Sequence, residues 1–99
     1  MSKITRSEFQ AQLAKGWRRQ KFVTEMYHDG SGGACALGAA CDGYNMGKVL
    51  ADMVVPCDYG RMLPKKIVSE VVHANDTSKT KREANQKIKA LKWPKAYAA

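Results

Sequence analysis

GSGGACALGAACDGY, residues 30–44, holds five glycines and four alanines and is the most unusual segment of this 99-residue chain. Its middle part, residues 34–41, predicts a short helix in which Leu37 is the one bulky side chain. Small side chains let neighbouring elements approach closely, and the glycines around the helix permit sharp chain reversals. We therefore expect a thin, buried central helix in which Cys35 and Gly38 have structural roles.

Two longer apolar stripes would cover this helix. The first lies on a helix predicted over residues 7–20, with Ser7 and Gln10 at the spacing of a capping box. Its apolar positions recur at i, i+4 and i+8: Phe9, Leu13 and Trp17. The second follows the same helical spacing around Pro64: Leu63, Ile67, Val68, Val71 and Val72. The β-branched content of residues 67–72 keeps a strand open as an alternative there.

The remaining segments carry weaker signals. Alternation over residues 22–28 predicts one short strand or a hairpin that ends near Gly33. Asn45 is a candidate cap for a helix over residues 46–54, which Pro56 ends. A connector then leads to the helical segment around Pro64. Residues 73–80, after that segment, are expected to be a loop. Thr80 and Glu83 form a second capping box for a last helix. Residues 93–99 are expected to be a frayed tail.

These segments predict a single domain over residues 1–99. The fold class is mainly α, a compact arrangement of four or five helices with one short strand or hairpin near residues 22–33. The alternative is α+β. The longest apolar runs fall short of the ~18–20 residues of a membrane span, and the polar N-terminus lacks the apolar middle of a secretory signal. We therefore expect a soluble, cytoplasmic protein with no membrane partner.

Charge is the main indication of a partner. Net charge is +8, and both ends of the chain are basic around a slightly acidic middle. Such an imbalance favours nucleic acid or an acidic protein surface as the partner. Two clusters are the candidate binding residues: Arg18, Arg19 and Lys21, and Lys81, Arg82, Lys87 and Lys89. A plainer explanation of the first cluster is that cations near a helix C-terminus suit the helix dipole.

The glycine- and alanine-rich segment has other possible chemistries. It lacks the Lys-Ser or Lys-Thr of a P-loop, and Cys35 stands where the Rossmann fingerprint needs its third glycine. Three cysteines leave one unpaired, which predicts free thiols and no secreted disulfide framework, and their spacing predicts no metal site. We expect no cofactor. The alternative activity is a cysteine-dependent hydrolase or transferase, in which Cys35 near a helix N-terminus would act with His73 and Asp76.

Several short motifs suggest a family. The run Cys35–Ala39, the pair Asn75-Asp76, and Thr80 with Glu83 resemble a domain-of-unknown-function family of short bacterial and phage proteins. That family pairs Cys-Ala-Leu-Gly-Ala-Leu with a later Trp-Asn-Asp and a Thr-x-x-Glu-Val helix, and the resemblance spans roughly residues 9–91. The chain departs from the pattern at three positions: Ala40, Ala74 and Ala84. The resemblance implies a structural role for Asn75 and Asp76 and an origin in a phage, but no activity.

Overall fold

The computed structural model describes residues 3–18, 20–24, 26–28, 30 and 32–99. The helices and strands are α1 (Arg6–Trp17), β1 (Lys21–Phe22), β2 (Gly33–Ala34), α2 (Ala36–Asn45), α3 (Pro56–Arg61), α4 (Lys65–Asp76) and α5 (Lys81–Lys89). Two 3-10 turns cover Leu50–Asp52 and Lys95–Tyr97. The prediction of a mainly α fold with a small strand element near residues 22–33 is confirmed.

Helix α2 is the centre of the core, as its composition predicts. Every residue from Ala36 to Cys41 is buried, and α1 packs along it. The two helices meet backbone against backbone at two glycines. A Cβ on Gly16 would overlap the carbonyl of Ala39, and a Cβ on Gly43 would overlap the carbonyl of Gln12.

The boundaries of α1 and α2 differ from those predicted. Helix α1 begins at Arg6 and ends at Trp17, because Thr5 and Glu8 form the capping box in place of Ser7 and Gln10. Helix α2 begins after Cys35 and continues to Asn45. Gly47 follows in the left-handed region with a φ of 81°, a conformation that commonly ends helices.

The prediction of a helix over residues 46–54 is wrong. Asn45 ends α2, and its side chain accepts from the Val54 N–H at 2.9 Å and donates to the Val54 carbonyl at 2.8 Å. These two bonds close the intervening residues into a loop, on which Val49 is 66% and Leu50 84% exposed. The predicted connector after Pro56 is instead α3, since proline suits a first helical turn.

The strand element is shorter than its alternating pattern suggests. β1 and β2 pair in parallel, with Lys21 opposite Gly33 and Phe22 opposite Ala34. The antiparallel contact expected of a hairpin is reduced to a bridge between His28 and Ala34. Between β1 and β2 the chain crosses the start of α2, where the Tyr27 carbonyl accepts from the Cys35 N–H at 3.2 Å.

Helices α4 and α5 complete the core. The alternative strand at residues 67–72 is not formed, and α4 continues through Asp76, so half of the predicted 73–80 loop is helical. Thr80 caps α5 by accepting from the Glu83 N–H at 3.2 Å. The Glu83 carboxylate accepts from the Lys79 N–H, one residue before the position that a full capping box requires.

The C-terminal residues 93–99, for which the sequence predicted fraying, are mostly exposed but contact α1. The Trp93 ring lies 5.7 Å from the Phe9 ring. The Ala99 carbonyl accepts from the Ser7 N–H at 3.1 Å and from its hydroxyl at 2.8 Å. Ser7 therefore anchors the tail rather than capping α1.

Asn75 connects three parts of the core, so its removal should be costly. It is 1% exposed, accepts from the Ala36 N–H at 2.9 Å and donates to the Val23 carbonyl at 3.0 Å. Asn75→Ala leaves both backbone groups without their partner, and should lower the free energy of unfolding by about 2–3 kcal/mol in urea titrations. Gln86→Ala, on the exposed face of α5, is the control and should change it by less than about 0.5 kcal/mol. Equal stability of the two variants would contradict this role for Asn75.

Candidate functional site

An open groove of about 740 Å³ runs between α1 and α5. Its apolar wall comes from the outer side of α1, chiefly Ala11, Ala14 and the edges of Leu13 and Trp17. Four of its described lining residues are cationic and none of them is acidic: Arg18, Lys81, Arg82 and Lys89. We call these four residues the groove cations.

The groove brings together cations from both ends of the chain. Arg18 belongs to the first predicted cluster, and the other three groove cations belong to the second. The sequence could not show that the two clusters share a face. The position of α5, which packs on α4 and lies across the groove from α1, creates that face.

Two of the interactions at the groove's ends are structural. Lys81 donates through Nζ to the carbonyl of Trp17, at the end of α1. Arg6 donates through Nη2 to the Lys89 carbonyl at 3.3 Å, at the end of α5. The last carbonyls of a helix have no partner within the helix and carry a partial negative charge, so cations stabilise them. The end of α1 thus receives a cation, as the dipole explanation of the first cluster expects, but the contact comes from Lys81 of the second cluster.

Two of the predicted binding residues that the structure describes, Lys21 and Lys87, do not line the groove. Lys21 is exposed on β1. Lys87 lies on the α4 side of α5 and donates to the Thr77 carbonyl at 2.9 Å and to its hydroxyl at 3.2 Å. Arg19 lies outside the described residues.

The sequence analysis missed the uncharged polar residues of this surface. Gln10 and Asn85 line the groove, and Gln86 is exposed beside it on α5. A signal for the α5 residues was present, because Arg82, Asn85 and Lys89 recur at i, i+3 and i+7 and so share one helix face. Gln10 was assigned instead to a capping box that does not form.

Cys35, which the alternative hydrolase or transferase needs as its nucleophile, does not have the environment of a reactive thiol. Cys35 is 7% exposed, and burial raises its pKa although the amides of Gly38 and Leu37 oppose the shift. The charge of Asp76 raises the pKa further. The helix N-terminus thus acts in the direction that the sequence suggested, but desolvation outweighs it.

Cys35 and His73 also lie in different cavities. Cys35 lines one of about 420 Å³ together with Tyr27 and Asp76. His73 lines another of about 560 Å³, between α4 and α5, with Glu70 and other residues. Successive residues on a helix are rotated by about 100°, so His73 turns away from the Val72–Asp76 face that meets Cys35. The structure does not assemble the proposed Cys35–His73–Asp76 arrangement.

The other residues given structural roles have identifiable contacts. A Cβ on Gly38 would overlap the Tyr27 carbonyl, so glycine is required where the chain crosses α2. The Asp76 carboxylate accepts from the Asn75 side chain at 3.4 Å. These contacts agree with the packing role expected of the central segment.

Comparison with known proteins adds no assignment. No protein family, no curated protein and no solved structure matches this chain. Among the described residues, three or more His, Cys, Asp or Glu side chains nowhere come close enough together to hold a metal ion. Within the same residues, no helix has both the length and the apolar character needed to cross a membrane.

Thiol alkylation should separate the three cysteines by exposure. Cys57 is exposed, whereas burial raises the pKa of Cys35 and raises that of Cys41 to about 11. Because the thiolate is the reacting form, iodoacetamide near neutral pH should label Cys57 at least about tenfold faster than the two buried thiols. Peptide mass spectrometry over time measures the three rates, and Cys57→Ser should abolish the fast phase. Labelling of Cys35 as fast as Cys57 would restore the nucleophile hypothesis.

Proposed function

We propose that this chain is a small, basic, non-enzymatic binding protein that docks on nucleic acid through the α1–α5 groove. The observation that carries the proposal is the concentration of the four groove cations along one surface whose described lining contains no carboxylate. A phage-type modulator of a host complex, as the motif resemblance suggests, is one form that such a protein takes.

The groove cations are better explained by the binding of phosphates than by an ordinary solvated surface. Duplex DNA carries one negative charge per roughly 1.7 Å of its axis, so several closely spaced cations gain from it together. Arg18, Arg82 and Lys89 are exposed, and their charged groups remain available to a ligand. Arg82 and Arg18 additionally offer the planar fork that matches phosphate oxygens.

An acidic protein surface presents similar charges at lower density. Carboxylates are separated by the spacing of side chains, so fewer of them meet one groove at the same time. Pull-down from a lysate with and without nuclease distinguishes the two partners. Capture that survives nuclease treatment and depends on the groove cations would replace nucleic acid by an acidic protein as the partner.

The cysteine-dependent hydrolase or transferase has weaker support. It requires a reactive Cys35 beside His73, and the two residues line separate cavities while burial raises the pKa of the thiol. No observation on the described residues favours it over the binding function.

Removing groove cations should weaken DNA binding and make it less dependent on salt. The triple variant Arg18→Gln, Arg82→Gln, Lys89→Gln leaves Lys81 in place because its ammonium group contacts the end of α1. If each of the three cations meets one phosphate, the slope of log affinity against log salt should become shallower by about 0.9 per cation removed. Fluorescence anisotropy with a labelled 20-base-pair duplex at several salt concentrations measures both quantities.

A matched variant separates the groove from net charge. Lys48→Gln, Lys65→Gln, Lys66→Gln removes the same number of charges from exposed or half-exposed positions outside the groove. It should keep the salt slope of the unchanged protein. Equal losses in both triple variants would mean that net charge alone drives binding, and no binding even at low salt would remove the nucleic-acid function.

A further inference from the structure

The outward face of α5 has a composition that the binding of phosphate alone does not require. Ala84 and Ile88 are buried on the core side of this helix, and Leu91, just after its end, packs against the same core. The opposite side presents two cations and two amides: Arg82, Asn85, Gln86 and Lys89. Arg82, Gln86 and Lys89 are exposed, and Asn85 is half-buried at the edge of the groove.

These four side chains are not engaged by the rest of the described chain. Other residues of α5 do make such contacts, as Lys81 does with Trp17 and Lys87 with Thr77. The side chains of Arg82, Asn85, Gln86 and Lys89 make no hydrogen bond or ion pair with any residue that the structure describes. Their donors and acceptors are therefore available to a ligand.

The four side chains match the chemistry of base edges in duplex DNA. Arg and Lys donate to the O6 and N7 acceptors of guanine, while Asn and Gln pair in a bidentate manner with the N6 and N7 of adenine. Phosphates are attracted most strongly by the charged members, and binding them does not require two neutral amides. The presence of Asn85 and Gln86 between Arg82 and Lys89 is therefore the feature that points beyond backbone contact.

The surroundings of α5 suit insertion into a major groove. It is a short helix of nine residues, and an α-helix with its side chains is about 10–12 Å wide, close to the ~12 Å width of that groove. Arg18 lies toward α1, on one side of α5, and Lys87 lies on the α4 side, where its ammonium group donates to Thr77. Arg18 is exposed and can reach a phosphate backbone that borders the groove.

The connection to α4 has the length found in DNA-reading helix pairs. Residues 77–80 join the end of α4 to the start of α5, and α4 is the helix against which α5 packs most. Turns of three or four residues connect the two helices of helix-turn-helix units, in which the second helix enters the major groove. Thr80 fixes the start of α5 through its cap.

We infer that α5 reads base edges in the major groove of duplex DNA, with Arg82, Asn85, Gln86 and Lys89 as the specificity-determining residues. This inference rests on the proposed nucleic-acid function and specifies its substrate as B-form duplex DNA of a preferred sequence. Single strands lack this groove, and A-form RNA presents a major groove too deep and narrow for a helix.

The test has two parts, each made on the full chain. Selection from a library of random 20-base-pair duplexes should enrich a short motif. The enriched duplex should then bind at least about tenfold more tightly than a shuffled duplex, the difference expected of a few base contacts. An RNA duplex of the same sequence and length should bind no better than the shuffled DNA.

The double variant Asn85→Ala, Gln86→Ala distinguishes base reading from charge. It changes no charge, so its affinity for the shuffled duplex and its salt slope should stay within about twofold of the unchanged protein, while the preference for the enriched duplex is lost. Ser69→Ala, at an exposed position of α4, should keep that preference, and circular dichroism checks that both variants are folded.

The possible outcomes distinguish base reading by α5 from the proposed nucleic-acid binding on which it rests. Binding of DNA and RNA duplexes with equal affinity, with no motif enriched, would overturn base reading by α5 and leave the nucleic-acid function in place. A preference that survives Asn85→Ala, Gln86→Ala would overturn the assignment of α5. No binding to any nucleic acid would overturn both.

Discussion

The backbone-to-backbone contact of α1 and α2 is the constraint on which the rest of the structure depends. Each helix contributes one glycine, Gly16 from α1 and Gly43 from α2, and each glycine meets a carbonyl of the other helix. Two helices at this separation have no room for side chains between them at the contact points. The small residues of α2 are therefore explained by packing, since larger residues would push α1 away.

The position of the candidate binding surface follows from that contact. The side of α1 that carries Gly16 and the Phe9–Leu13–Trp17 stripe packs against the core. The side that carries Ala11 and Ala14 therefore remains at the surface. Helix α5 lies beside this side and is held at both ends by Lys81 and Arg6, which bind helix-terminal carbonyls. The groove and its cations are thus a consequence of where α1 is held, and the outward face of α5 is left free.

The sequence predicts much of the fold, and its failures have physical causes. The small-residue pattern of residues 34–41 correctly predicts a buried central helix, because few other arrangements accommodate so little side-chain volume. The apolar periodicity of residues 46–54 wrongly predicts a helix, since two hydrogen bonds between Asn45 and Val54 close that segment into a loop. Apolar periodicity reflects local helix propensity alone, and it gives no information on a contact such as that of Asn45 with Val54, nine positions apart.

The site was predictable in composition and not in geometry. Charge counting finds Arg18, Arg82 and Lys89, yet only the tertiary position of α5 across from α1 places them around one groove. The same limit applies to Cys35, for which the helix N-terminus was visible in the sequence but the burial that raises its pKa was not. Asn85 and Gln86 were overlooked because charge counting ignores neutral side chains.

Gly16→Ala and Gly43→Ala, each compared with Gly60→Ala in urea unfolding, test the central contact most directly. Gly60 lies in α3, where the nearest atom to an added Cβ is 3.9 Å away, so its replacement should raise the free energy of unfolding by up to about 1 kcal/mol. At Gly16 and Gly43 the added methyl group must separate the two helices, and each variant should be destabilised by about 3 kcal/mol or more. Variants at Gly16 and Gly43 that are as stable as the unchanged protein would contradict the close approach of α1 and α2.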